Sequence, residues 1–330
     1  MKKSLSMIRL AACFALSIML SGGDAIATSK RAHQRHGRTS RHHVHAQHHL
    51  AQAAPVTKVT APVERSQTAL ADLLAPAVAK APADVSIVVQ DLNDGTCTTF
   101  DAYKDMPAAS VDKLPVLIEV FHQIQQHKLT LDTKIKLTNA DRDHGWGLID
   151  NMRTGKAFTV KKLLALMIDN SDNTATNMLI RRVGLKSVNE EAKALGLDGT
   201  KLPTDIRTDK HDVILGLRTC AGDVAKMYSM MYQGTLIDSA SSAQMLEILA
   251  NQHENNLIPQ LLPAGIKIAH KTGTINDAVN DGGIVYTNDH RYVIVVMTAN
   301  ATSLHAAKNF IRTVSRQVFL YQQSLPARSV

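Results

Sequence analysis

Apolar positions recur along this chain in two rhythms. From Thr68 to Ala79, Leu70, Leu73, Leu74 and Val78 follow helical spacing, and from Thr302 to Tyr321 so do Ala307, Phe310, Ile311, Val314 and Val318. A β-branched run from Val85 to Asp91 leads through Asn93-Asp94-Gly95 and back along Thr96 to Phe100, the pattern of a hairpin. Three more strands are predicted at Ile266–Thr274, Gly283–Thr287 and Tyr292–Met297, with turn residues between them. Nearly everything in between reads as helix: Leu114–Phe121, Val160–Ile168 behind a Thr159 cap, then 174–183, 187–195, 219–233 and 240–250. The expected fold is therefore α/β in the α+β sense. An antiparallel five-stranded sheet, flanked by terminal helices, is built from residues 66–108 and 251–323, and an all-helical domain, 109–250, is inserted into it. About 260 folded residues suffice for one lobed unit with a cleft between its parts.

The two ends of the chain break both rhythms. Lys2, Lys3 and Arg9 precede an apolar run from Leu10 to Leu20, and Ala25-Ile26-Ala27 supplies a small-residue exit. That is the layout of a secretory signal, 1–27, cut after Ala27. The run is too short to span a bilayer, and no later segment is long enough. No cysteine follows it to carry a lipid anchor. A periplasmic or secreted protein is expected. Residues 28–65 read as a solvated tether, first Arg/His-rich and then Ala/Pro-rich, and 324–330 as a short tail. The tether holds seven of the fifteen histidines, and it is open to two sharper readings, metal capture or contact with an anionic envelope surface.

Charge follows the same division. Residues 1–50 carry eight Lys/Arg against Asp24, a net +7 of the whole chain's +8, which leaves the rest near +1. The basic character belongs to the tail, so no nucleic-acid partner is expected for the folded body. Beyond Cys13 only Cys97 and Cys220 remain. An oxidising compartment permits a bridge between them, and two small buried hydrophobes is the plainer alternative.

Three short words carry the chemistry: Ser110-Val111-Asp112-Lys113, Ser171-Asp172-Asn173 and Lys271-Thr272-Gly273. Ser110 stands where a small-residue loop meets an apolar helix, so backbone N–H groups surround its hydroxyl. Lys113 is one helical turn on and faces the same side, a base if burial lowers its pKa. Taken alone, this pair reads more readily as a capping serine and a surface lysine. Ser171 offers a hydroxyl to pass a proton, and the Asn173 amide can hold a substrate carbonyl or the lysine. On the third word, Lys271, Thr272 and Thr274 would meet a substrate carboxylate. Gly273 would leave room for a substrate backbone along the strand edge. The N–H groups of Ser110 and Thr274 would form an oxyanion hole. Together these are the parts of a serine acyl-transfer site, which needs no cofactor and no metal, and the sequence shows no spaced metal-ligand set.

At these words the chain resembles the penicillin-recognising serine acyl-transferases, and most closely the class A β-lactamase family. The likeness runs from about Val85 to Tyr321 and includes "FDAYKDMPAASVDKLPVL", "LLALMIDNSDNTATNMLI" and "IAHKTGT". It implies a β-lactamase/transpeptidase-like fold and a monomer. It also implies Ser110 as acylated nucleophile, Lys113 as its base partner and Ser171 as proton relay. Asn173 would bind the substrate amide, Lys271, Thr272 and Thr274 its carboxylate, and Trp146 would stand at the cleft mouth, where it either stacks on substrate or simply packs. The implied substrate is a β-lactam or a cell-wall peptide, and a β-lactam sensor without turnover is the third possibility.

One departure matters. The family's Glu-x-x-x-Asn element, whose glutamate activates the deacylating water, falls here in "PTDIRTDKHDV", with Ile206 at the glutamate position and Lys210 at the asparagine position. No Glu occurs from 192 to 246. Asp205, Asp209 or Asp212 could substitute only by reaching the same water with a shorter arm. A misplacement near 1 Å lowers rate by about a hundredfold.

Overall fold

The computed structural model describes residues 68–208 and 216–326. The expected signal peptide, the His-rich tether, and Asp209, Lys210 and Asp212 lie outside them. In chain order the elements begin with α1 (Thr68–Val78), β1 (Asp84–Asp91), β2 (Cys97–Phe100), β3 (Met106–Pro107) and α2 (Lys113–Gln125). Then come β4 (Lys134–Lys136), β5 (Ala157–Thr159), α3 (Val160–Asp169), α4 (Asn173–Val183), α5 (Leu185–Ala194) and β6 (Arg218–Thr219). The chain continues with α6 (Ala221–Gln233), α7 (Ser239–Ala250), β7 (Lys267–Ile275), β8 (Ala278–Tyr286), β9 (Arg291–Ala299) and α8 (Leu304–Ser324).

The sheet is antiparallel and five-stranded, in the order β2-β1-β9-β8-β7. Strand alternation sends its side chains to two cores. On β9, Tyr292, Ile294 and Val296 pack with Leu70 and Leu74 of α1 and with Ile311, Val314 and Val318 of α8. Val293, Val295 and Met297 belong to the other core, shared with α2, α3, α4, α6 and α7. Both faces are covered, which is why β9 reads as a nearly unbroken apolar run. Each large aliphatic side chain so buried contributes about 1.5–3 kcal/mol.

Most of the expected elements stand, with Thr159 capping α3 through the Lys162 N–H (3.2 Å). Pro115 lies in the first turn of α2, where its missing N–H breaks no helical bond. The strand expected at Gly283–Thr287 instead begins at Ala278. Asn280-Asp281-Gly282-Gly283 looks like a turn, yet the turn is the two residues Asn276-Asp277, and β8 pairs with β7 from Ala278 to Tyr286. Tertiary hydrogen bonds make this possible: Asn280 donates to the Pro107 and Ala108 carbonyls and accepts from the Thr298 N–H. Two ribbons too short for a pattern, β3–β6 and β4–β5, also occur, the second inside the stretch read as all-helical. Helix α8 runs through Ser324, one residue into the expected tail. Cys97 and Cys220 are both buried, and the Cys220 sulfur caps α6 by accepting the Asp223 N–H (3.4 Å). Among the described residues, no helix is long and apolar enough to cross a membrane.

Ile311 is fully buried between α8 and the sheet. We expect Ile311→Ala to lower unfolding free energy by about 2–5 kcal/mol in urea titration; an unmoved midpoint would mean that α8 does not hold the sheet.

Candidate active site

Three elements converge at the open edge of the sheet. Asn280 on β8 pins the turn before Ser110 to the sheet, and a single 3-10 turn, Ala109–Asp112, then delivers Ser110 and hands over to α2. β7 is the edge strand, so its alternate backbone groups face the cleft and not β8. Here Gly273 has a reason different from the one expected. A Cβ at Gly273 would stand 2.9 Å from the Ser110 nitrogen and 3.0 Å from the Ala109 Cβ. The glycine lets β7 press directly on the turn that carries the serine.

The Ser171 segment is fixed from behind. Asp172 caps α4 at the Ala175 N–H and also receives the Leu148 and Ile149 N–H groups. The Asn173 N–H donates to the Trp146 carbonyl, and Asn173 Nδ2 donates to Asp143. Both Ala109 (φ +45°) and Ser171 (φ +54°) lie in the left-handed region without being glycine. Such backbone costs on the order of 1–2 kcal/mol per residue and persists only where its surroundings over-determine it.

What these constraints hold is the Lys113 ammonium. Its Nζ lies 2.9 Å from Ser110 Oγ, 2.8 Å from the Ser171 carbonyl, 3.0 Å from Ser171 Oγ and 2.8 Å from Asn173 Oδ1. The three protons of an ammonium are shared among these four acceptors; only the neutral amine could accept the Ser110 hydroxyl proton in return. Lys271 Nζ reaches the same Ser171 Oγ at 3.2 Å and the Thr272 carbonyl at 2.9 Å. Ser171 thus bridges the two lysines.

Both ammonium groups are buried. Burial pushes the Lys113 pKa down to about 8, against the charges of Asp112, Asp172, Asp143 and Glu254. For Lys271, burial first and the Lys113 charge second bring it down to about 7, against Glu254, Asp112 and Asp281. Lysines poised so near neutrality can exchange protons with a substrate. A cavity of about 680 Å³ opens onto Ser110, Lys113, Ser171, Asn173, Thr272 and Thr274. Trp146, 59% exposed, stands at its rim with its indole N–H on the Asn170 carbonyl. Every site residue expected from the sequence either lines this cavity or, like Lys271, reaches Ser171 from behind it.

A family model described as "Beta-lactamase enzyme family" matches residues 66–323. The chain belongs to that family. Among relatives, the extended-spectrum beta-lactamase PER-1 of Pseudomonas aeruginosa is 25% identical over 255 residues, 73% of this chain and 83% of its own. Among solved structures, PBP-A superposes with a TM-score of 0.75 at 28% identity, covering 81% of this chain and 100% of that one. A leucine-to-glutamate variant of PBP-A, solved as an acyl-enzyme complex with penicillin G, gives 0.74 at 27%. A beta-lactamase from Sphaerobacter thermophilus gives 0.71 at 27%, over 79% of this chain and 99% of its own. The protein is thus a serine β-lactamase-like hydrolase.

Against the β-lactamase pattern, the wall that should carry a carboxylate carries Ile206, buried and lining the cavity. Its backbone is clamped in both directions by the Asn177 side chain. Asp205 takes the Thr204 hydroxyl and the Arg207 guanidinium and does not line the cavity.

Several functional groups escaped sequence reasoning. Asp143 accepts from Asn173, Gly145 and both the N–H and hydroxyl of Thr208, tying the cleft-mouth loop to the 204–208 segment. Burial works to raise its pKa, but these hydrogen bonds outweigh it and hold the carboxyl below the usual range. Glu254 accepts the Thr272 hydroxyl (2.7 Å), and Lys308 of α8 also lines the cavity. Their sequence neighbourhoods, "DRDHG" and "NQHEN", look like ordinary polar loops. Away from the cavity, Glu119 and His122 of α2 meet Glu191 of α5, with His122 Nδ1 at 3.7 and 2.7 Å. No spacing announces that cluster, because the helices bring it together.

A carboxyl with a depressed pKa stabilises the fold fully above the unfolded aspartate value, about 3.9, and loses that contribution as pH falls through its folded value. Asp143→Ala should therefore lower the thermal midpoint at pH 7 and flatten its fall at acid pH. Equal losses at both pH values would contradict this role.

Proposed function

We propose that this protein opens β-lactam rings through a Ser110 acyl-enzyme that it releases slowly. Ser110 Oγ attacks the lactam carbonyl and gives its proton to neutral Lys113. The resulting oxyanion is met by the Ser110 and Thr274 N–H groups. The C–N bond then breaks, and the leaving nitrogen takes a proton by way of Ser171 from the lysine pair. Asn173 holds the substrate amide, Lys271, Thr272 and Thr274 its carboxylate, and Trp146 covers the mouth.

The observation that carries the reading is one cavity holding both the Lys113–Ser110 contact and Ile206. Acylation has all its parts. Deacylation lacks a fixed base for water on the Ile206 wall, and a positioned general base is worth about 10²–10⁴-fold in rate. The resemblance to PBP-A supports a second reading, a peptidase that acts on D-Ala-D-Ala cell-wall peptides and is trapped by β-lactams. Both readings require export, which the basic and apolar start of the chain supports.

Labelled penicillin followed by an unlabelled chase tests the proposal. Label should bind the native chain, fail on Ser110→Ala, and clear over minutes as product accumulates; label that persists for hours would move the reading to the second, a penicillin-trapped protein. Ile206→Glu should shorten its lifetime at least about tenfold. Label on Ser110→Ala would overturn the nucleophile, and loss of label within seconds from the native chain would overturn slow release. Because the base must be neutral, the acylation rate at saturating penicillin, where the loss of Lys271 charge no longer limits binding, should rise with pH to a plateau above about 8. A rate that is flat from pH 6 to 9 would exclude Lys113 as base.

A further inference from the structure

The second variable position of the Ser110–Lys113 word is Asp112, which neither the expected mechanism nor any packing need explains. It is 2% exposed and lines the cavity floor, and neither carboxylate oxygen receives a hydrogen bond. A bare carboxylate in a protein interior costs several kcal/mol, where an apolar residue of similar size would cost nothing. Of the other carboxylates that act on the two lysines, Asp169, at the end of α3 and acted on by Lys271, also leaves one oxygen unbonded but is only half-buried, and the rest are occupied. Asp172 holds three backbone N–H groups, Asp143 holds Asn173 and Thr208, Glu254 holds the Thr272 hydroxyl, and Asp281 holds His270 and the Ile258 N–H. The charges that act on Asp112 are Lys113, from the start of α2, and Lys271, from β7.

We infer that Asp112 is the internal counter-anion of this site: its unbonded carboxylate holds positive charge on Lys113 and Lys271, and so sets when Lys113 turns base and when Lys271 receives an anionic substrate. Burial raises the Asp112 carboxyl to about 6, and the two lysines work against that rise, so it is ionised at neutral pH. The consequence for Lys271 is the sharper one. Burial and the neighbouring Lys113 both drive its proton off, and Asp112 with Glu254 and Asp281 opposes them. Asp112 makes no hydrogen bond to the serine hydroxyl or to either lysine. It is a positioning residue that acts through charge.

This inference rests on the Ser110 acylation reading, and the experiment separates the two. The acylation rate at saturating penicillin, and separately its apparent affinity, are measured from pH 5 to 9 on the native chain, Asp112→Asn and Asp112→Glu. Removing the charge should move the rising limb of acylation down by about one pH unit, the effect of one nearby opposite charge. At pH 7 it should also weaken affinity for the carboxylate-bearing penicillin several-fold while leaving that for its methyl ester unchanged. Asp112→Glu should return both towards native values. Should Asp112→Asn fail to fold, Asp112→Ser is read in the same way. An unmoved limb with unchanged affinity in a folded variant overturns the role of Asp112 and leaves Ser110 acylation standing. Absence of any adduct on the native chain overturns both.

Discussion

The contact on which the rest of this site depends is the buried Lys113 ammonium, gripped by the serine of one element and by the serine and asparagine of another. An unpaired ammonium in such a place would be prohibitive. Its four oxygen partners therefore fix the Ser110 turn against the Ser171 segment as firmly as the apolar core fixes the helices behind them. The same requirement accounts for the left-handed backbone at Ala109 and Ser171, because each turns a reactive group toward the lysine at local conformational cost. It also accounts for Gly273, which brings the edge strand, and with it Lys271, close enough to share the Ser171 hydroxyl.

Around that centre lies a shell of carboxylates with divided labour. Asp172 and Asp143 spend their oxygens organising backbone, and Glu254 spends one on Thr272. The result is a pair of lysines that hold protons loosely, near neutrality, beside a cavity of about 680 Å³. The wall opposite is apolar at Ile206. On the reading proposed above, a site so arranged is well supplied for the first half of an acyl transfer and poorly supplied for the second.

Much of this was legible in the chain. Terminal helices, the hairpin, β7 and β9 follow from periodicity, because their burial is one- or two-sided and regular. The three words name the site because covalent chemistry demands particular groups one helical turn or one strand apart. The first half of β8 is polar and carries no strand pattern, and its Asn280 is satisfied by carbonyls some 170 residues away in sequence. Asp143 and Glu254 were invisible for the same reason: their partners come from other elements. Gly273 was noticed, but the atom it makes room for is the Ser110 nitrogen, and only the tertiary structure supplies that neighbour.

The most direct test of the central claim, that acylation outruns release, is a rapid-quench record of ring opening under excess penicillin. The account predicts a burst of product equal to the enzyme present, followed by a slow linear phase. Rapid turnover with no burst would contradict it, and would mean that water finds a base in this cavity despite Ile206.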